Sequence, residues 1–159
     1  MVSVIVNIVS RLLSDEDIVV GLDVAERKRA LEEIALLAGR RCRISRAAIF
    51  RALWRREQIG STALGYGIAI PHARIAGISE PIVLVVRTRF PIKFGAPDHQ
   101  PVSILFVILV PEDANEEHLQ ILGTVSEMFS DKAFRDRLGA ATEPSGIRRL
   151  FSERTGNGH

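Results

Sequence analysis

Cysteine is nearly missing from this chain: Cys42 is the only one in 159 residues. An internal disulfide is thereby excluded, as is a zinc or iron–sulfur centre built on clustered cysteines. Aromatic residues are scarce at 6%, and the single tryptophan, Trp54, reads as a partly buried packing residue rather than a nucleic-acid stacking platform. No apolar run is long enough to cross a bilayer. The opening Met1-Val2-Ser3-Val4-Ile5-Val6-Asn7-Ile8-Val9 is apolar but lacks preceding basic residues and a small-residue cleavage site. Neither a signal peptide nor membrane insertion is expected, and the expected compartment is the cytoplasm. Charge of one sign is also wanting. The formal net charge is +2, and a pI near 9.1 does not by itself imply nucleic acid. Basic residues cluster in Arg40-Arg41-Cys42-Arg43 and around Arg51, Arg55 and Arg56. Such clusters are read as solvated helix faces, with a partner-docking patch as the alternative.

What is present is an ordinary globular composition, 47% hydrophobic and 25% charged, long enough to bury a core without staples. Without a long linker or an internal repeat, residues 1–159 read as one α/β domain, a mixed β-sheet flanked by helices on both sides. Residues 1–14 and 154–159 are expected to be peripheral or flexible, with the tail from Thr155 fraying.

Ile18-Val19-Val20-Gly21-Leu22 has the β-branched character of a strand. From Ala25 to Ala38 the period becomes helical, with Asp23 as the expected N-cap and Gly39 just beyond the end. Ser45 caps a second helix ending near Gly60, with Ala48, Ile49, Ala52 and Leu53 on its apolar face. Three strand-like runs follow, at residues 68–70, 81–90 and 102–110. The last two are nearly continuous in apolar residues, as in strands covered on both faces. Residues 91–98 read as an exposed loop or edge hairpin. Beyond Pro111, the acidic residues ahead of Leu119, Leu122, Val125, Met128 and Phe129 mark a helix start and place His118 near it. Asp131 caps a short helix through Leu138, and Pro144 opens a last one.

The stretch from Arg56 to Arg74 concentrates the chemistry. Gly60, Gly65 and Gly67, with Ser61 and Thr62 between them, offer a pliable backbone, amides and hydroxyls to an anion, or serve as ordinary turn residues. Pro71-His72 follows a short apolar strand, so the imidazole is expected at an exposed strand end, either as a nucleophile or as a structural residue. No two histidines stand at a metal-ligand spacing, and Ser61 is not in a Gly-x-Ser-x-Gly elbow. Neither a metal nor another cofactor is expected. His99 reads as a surface residue and His159 as tail.

Glu57, Leu64-Gly65 and Ile68-Ala69-Ile70-Pro71-His72-Ala73 resemble the phosphohistidine signature of type 2 IIA proteins, the fructose and mannitol branch of the sugar phosphotransferase system. Gly60-Ser61-Thr62 beside Gly-Ile-Ala-Ile-Pro-His is most similar to the nitrogen-related regulatory branch. That branch usually reads Pro-His-Gly-Lys where this chain has Pro71-His72-Ala73-Arg74. The resemblance implies that His72 accepts a phosphoryl group from an HPr-like carrier, with the positions matching Arg56 and His118 flanking it. It also implies regulatory targets such as potassium-transport or sensor proteins. A neutral imidazole is a nucleophile near pH 7. Phosphoryl transfer needs little beyond alignment and fixed donors around three charged oxygens. Arg56 is suited to supply a charged fork, Ser61 and Thr62 further hydrogen bonds, and the helix start at His118 a favourable dipole. The plainer readings make His118 a first-turn residue and Arg56 the partner of a nearby acid. Two other functions stand beside the relay: a sugar-specific IIA that serves a separate IIB component, and a binding module of the same fold without phosphotransfer.

Overall fold

The computed structural model describes residues 9–157; the expectations for Met1 to Ile8 and for His159 fall outside the described residues. One mixed sheet runs through the molecule. Its strands are β1 (Ile18–Leu22), β2 (Ala63–Gly65), β3 (Ile68–Ala69), β4 (His72–Ile75), β5 (Ile82–Ile92) and β6 (Val102–Pro111). They lie in the order β1-β5-β6-β3-β2, with β4 also on β6. The β5–β6 and β2–β3 pairs are antiparallel; β1 on β5, and β3 and β4 on β6, are parallel. The helices are α1 (Arg27–Cys42), α2 (Arg46–Ile59), α3 (Glu116–Phe129), α4 (Lys132–Ala140) and α5 (Pro144–Asn157), after a helical stretch at residues 9–12.

The continuous apolar runs of β5 and β6 are explained by two cores. Val83, Val85, Phe106 and Ile108 pack with Val125, Phe129, Phe134 and Phe151 of α3, α4 and α5. The intervening Leu84, Val86, Leu105 and Val107 pack with Leu31, Ile34, Ile49 and Leu53 of α1 and α2. Side chains alternate across a strand, so both registers must be apolar when helices cover both faces.

Several boundaries differ from those expected. Val9 and Leu13 are buried in the first core, so from Val9 onward the opening segment is part of the core rather than peripheral. The first helix is capped at Glu26, while Asp23 pairs with Arg89 at 3.6 Å. Gly39 lies inside that helix, which ends at Arg43 in the left-handed conformation, φ 61°. The glycine is needed because a Cβ there would stand 2.9 Å from the Ile44 carbonyl oxygen. Residues 91–98 are not simply exposed: β5 continues to Ile92, and Ile92, Phe94 and Ala96 are buried. The last helix extends to Asn157, past the point where fraying was expected. Ser45, Asp131 and Pro144 open their helices as anticipated, and Trp54 is half-buried and stacks on Phe50.

Candidate functional site

The glycine-rich stretch folds as a hairpin. Tyr66 and Gly67 connect β2 to β3 with φ of 60° and 79°, the paired positive values that suit a tight turn between twisted strands. Pro71 cannot donate to the ladder, yet the chain keeps its place along β6. Ala69 stands opposite Leu105 and His72 opposite Ile108. His72 therefore begins β4 rather than closing a strand, and pairing with β6 holds its backbone in register.

A cavity of about 380 Å³ opens beside it, between α2, β4, β6 and the start of α3. Ala52, Arg55, Arg56 and Ile59 reach it from α2 at the i, i+3, i+4, i+7 spacing that gathers side chains on one helix face. His118, Leu119 and Leu122 reach it from α3, and Ala73 and Arg74 follow His72 along β4. Three residues expected to act together, His72, Arg56 and His118, thus line one space. The two expected phosphate-binding hydroxyls do not: neither Ser61 nor Thr62 is among its lining residues. The Ser61 hydroxyl donates to the Phe94 carbonyl at 2.6 Å. The Thr62 hydroxyl donates to Glu57 Oε1 at 2.6 Å, and its amide to Oε2 at 3.0 Å. These partners lie far away or are buried, which explains why the short-range pattern suggested a phosphate loop instead.

His72 is half-buried, and its Nδ1 lies 2.7 Å from the Ile70 carbonyl oxygen. A carbonyl only accepts, so Nδ1 carries the proton and Nε2 keeps its lone pair. The imidazole titrates below the ordinary value of 6.5, chiefly because burial disfavours the cation. The Ile70 carbonyl opposes that shift, the Arg56 guanidinium adds to it, and the Glu57 carboxylate opposes it. Glu57 is 3% exposed, held by Thr62 and with Arg27 3.6 Å away. Its part in the site was visible only as a motif letter.

Arg56 donates to the Gly60 carbonyl at 2.7 Å, at the end of its own helix, and forms no ion pair among the described residues. His118 is the third residue of α3, and its amide donates to the Asn115 side chain that caps the helix. Its Nδ1 is buried without a hydrogen-bond partner, a costly arrangement for a ring nitrogen. His99 is exposed, as expected. Among the described residues no group of three or more His, Cys, Asp and Glu side chains is placed to hold a metal ion. No helix among them is long and apolar enough to cross a membrane.

Residues 11–154 match the family described as "Phosphoenolpyruvate-dependent sugar phosphotransferase system, EIIA 2". The chain belongs to that family. Among its IIA relatives, a nitrogen regulatory protein of Pseudomonas aeruginosa is 46% identical over 116 residues, 72% of this chain and 75% of that one. The crystal structure of the nitrogen regulatory IIA-Ntr protein of Neisseria meningitidis superposes with a TM-score of 0.87 at 40% identity, covering 91% of this chain and 99% of that one. A fructose-specific EIIA component of Haloferax volcanii is 35% identical over 130 residues, 81% of this chain and 84% of that protein. This IIA chain therefore sits among both regulatory and sugar-specific relatives.

Proposed function

We propose that the protein is a phosphohistidine relay with a regulatory role: His72 accepts a phosphoryl group from an HPr-like carrier, and the phosphorylation state decides which partners are bound. The observation that carries this reading is the fixed tautomer of His72, with Nδ1 tied to the Ile70 carbonyl and Nε2 left as nucleophile. The lone pair of Nε2 forms the new N–P bond as the carrier's N–P bond breaks and its electron pair returns to the carrier's imidazole. The ring of His72 gains positive charge as this happens, and the Ile70 carbonyl and Glu57 carboxylate both favour a charged ring. Arg56 and His118, which line the same cavity, are the donors for the phosphoryl oxygens in a loose transition state. The start of α3 adds its dipole.

The regulatory relatives from Pseudomonas aeruginosa and Neisseria meningitidis support regulation as the output; potassium-transport or sensor proteins are the targets this branch suggests. The fructose-specific relative favours a second reading, in which phosphate passes to a cysteine-bearing IIB component on a separate chain. Incubation with phosphorylated carrier tests the relay. An acid-labile, alkali-stable label on the wild type and none on His72→Ala is the expected result, and an unlabelled wild type refutes it. Adding IIB separates the readings, because the regulator retains its label while the sugar component loses it.

A further inference from the structure

A second cavity, of about 310 Å³, shares no lining residue with the His72 site. It opens between the end of α1 and the loop at residues 76–81 that joins β4 to β5. Asp17, Arg41, Ser79 and Glu80 bring polar groups to it, and Leu12 and Val83 bring apolar ones. A cavity at this small end of the range for ligand pockets, with convergent polar groups on apolar walls, has room for a molecule of amino-acid size.

The polar groups are not equally committed. Asp17 is 3% exposed, and both its oxygens are engaged. Oδ1 accepts from Arg41 Nε at 2.9 Å, and Oδ2 accepts from the Ser14 amide at 3.2 Å and the Ser14 hydroxyl at 2.9 Å. A carboxylate held in this way in turn fixes the plane of the guanidinium. Arg41 commits only Nε: its Nη1 and Nη2 groups make no hydrogen bond or ion pair among the described residues. Its side chain is 48% exposed, so the free edge is a planar fork of the shape that holds a carboxylate through two hydrogen bonds. Glu80 supplies a charge of the other sign. Its one ion pair among the described residues is with Arg11 at 3.9 Å, beyond hydrogen-bond length and between two exposed side chains.

We propose that this cavity binds a small amino acid as its zwitterion, with the carboxylate on the Nη edge of Arg41, the ammonium on Glu80 and the side chain against Leu12 and Val83. The charges select this class. A simple anion meets repulsion from Asp17 and Glu80, and a simple amine meets repulsion from Arg41, whereas a molecule that carries both charges finds a partner for each. The end of α1 at Cys42 adds the negative end of a helix dipole, which favours the ammonium. The proposal uses none of the residues assigned to phosphoryl transfer and does not rest on the relay reading.

The test is an NMR titration of the full chain with L-alanine, L-leucine and L-glutamine. Their N-acetyl forms, which lack the ammonium, and their methyl esters, which lack the carboxylate, are the controls. At least one of the three amino acids is expected to shift the signals of Arg41, Cys42, Ser79 and Glu80 and to leave those of His72 and Arg56 in place. Arg41→Lys, which keeps the charge and loses the fork, and Glu80→Gln are each expected to weaken binding about tenfold. The Glu80 side chain is 67% exposed, so its variant keeps the test open if the Arg41 variant is unstable. Cys42 lines the cavity and is the only cysteine, and its alkylation by iodoacetamide is expected to slow several-fold at saturating amino acid. No shifts at millimolar amino acid, shifts confined to another face, equal binding of the blocked forms, undiminished binding to Glu80→Gln or an unprotected Cys42 overturns the proposal. Labelling by the carrier without amino-acid binding refutes this site and leaves the relay standing, whereas binding without labelling does the reverse.

Discussion

The Nδ1 of His72 lies 2.7 Å from the carbonyl oxygen of Ile70, two residues earlier in the chain. Pro71 separates the two residues, and its fixed φ limits how far that carbonyl can swing away. The proline in this motif thus has a chemical consequence: it helps hold an acceptor against one ring nitrogen so that the other faces the reaction unprotonated.

Burial and Arg56 hold His72 below the ordinary histidine value of 6.5, so its neutral form persists at lower pH than for a free imidazole. The rate of labelling by the carrier is expected to stay level from pH 8 down through 6.5 and to fall only below it. A His72 ring titration followed by NMR is expected to give the same midpoint. Arg56→Ala should raise that midpoint, and Glu57→Gln should lower it, because the two charges act in opposite directions. A midpoint at or above 6.5 in the wild type contradicts the assignment. The linked effect on stability has a definite sign. In the window between the lowered folded value and the unfolded value of about 6.5, the unfolded chain binds more protons. Stability therefore falls as pH drops through that window and is fully present above it.

Thr62 and Glu57 give a prediction about stability rather than chemistry. Thr62→Val keeps the shape but removes the 2.6 Å hydroxyl bond to a buried carboxylate. A loss of about 1–3 kcal/mol in urea unfolding is expected, the range for a buried polar group left without its partner. Labelling of the folded variant should continue near the wild-type rate, as should that of Ser61→Ala. Severe loss of labelling with no loss of stability assigns these hydroxyls to the phosphate instead.

Two helical glycines should respond to alanine in opposite directions. Gly123 in α3 has open space where a Cβ would stand, so Gly123→Ala is expected to stabilise by roughly 0.5–1 kcal/mol through helix propensity. At Gly39 the added carbon meets the Ile44 carbonyl oxygen at 2.9 Å, and Gly39→Ala should destabilise by about 1–3 kcal/mol despite the same propensity gain. Thermal unfolding of the two variants reads both signs.

The features legible in the sequence were those set by local pattern. The unbroken apolar runs of β5 and β6 announced strands covered on both faces, and Asn115 to His118 carried an evident helix start. The resemblance carried by the motif pointed to His72, Arg56 and His118; local pattern placed Arg56 in the last turn of one helix and His118 at the start of another, and the fold brings the three to one cavity. What local pattern could not show was where side chains meet across the fold. Ser61 and Thr62 resemble anion ligands until Phe94 and Glu57 take their hydroxyls. A turn that places the non-glycine Tyr66 at φ 60° is disfavoured by propensity and made tolerable by the adjoining Gly67 and the Asp98 carboxylate that accepts its amide. Gly39 looked like a helix stop because a close contact with Ile44 is invisible in one dimension.

The most direct test of the account is ¹⁵N NMR of the histidine rings after the protein has been incubated with phosphorylated carrier. Phosphorus coupled to Nε2 of His72, with Nδ1 still carrying its proton, is the predicted result. Phosphorus on Nδ1 of His72, on His118, or on no histidine contradicts it.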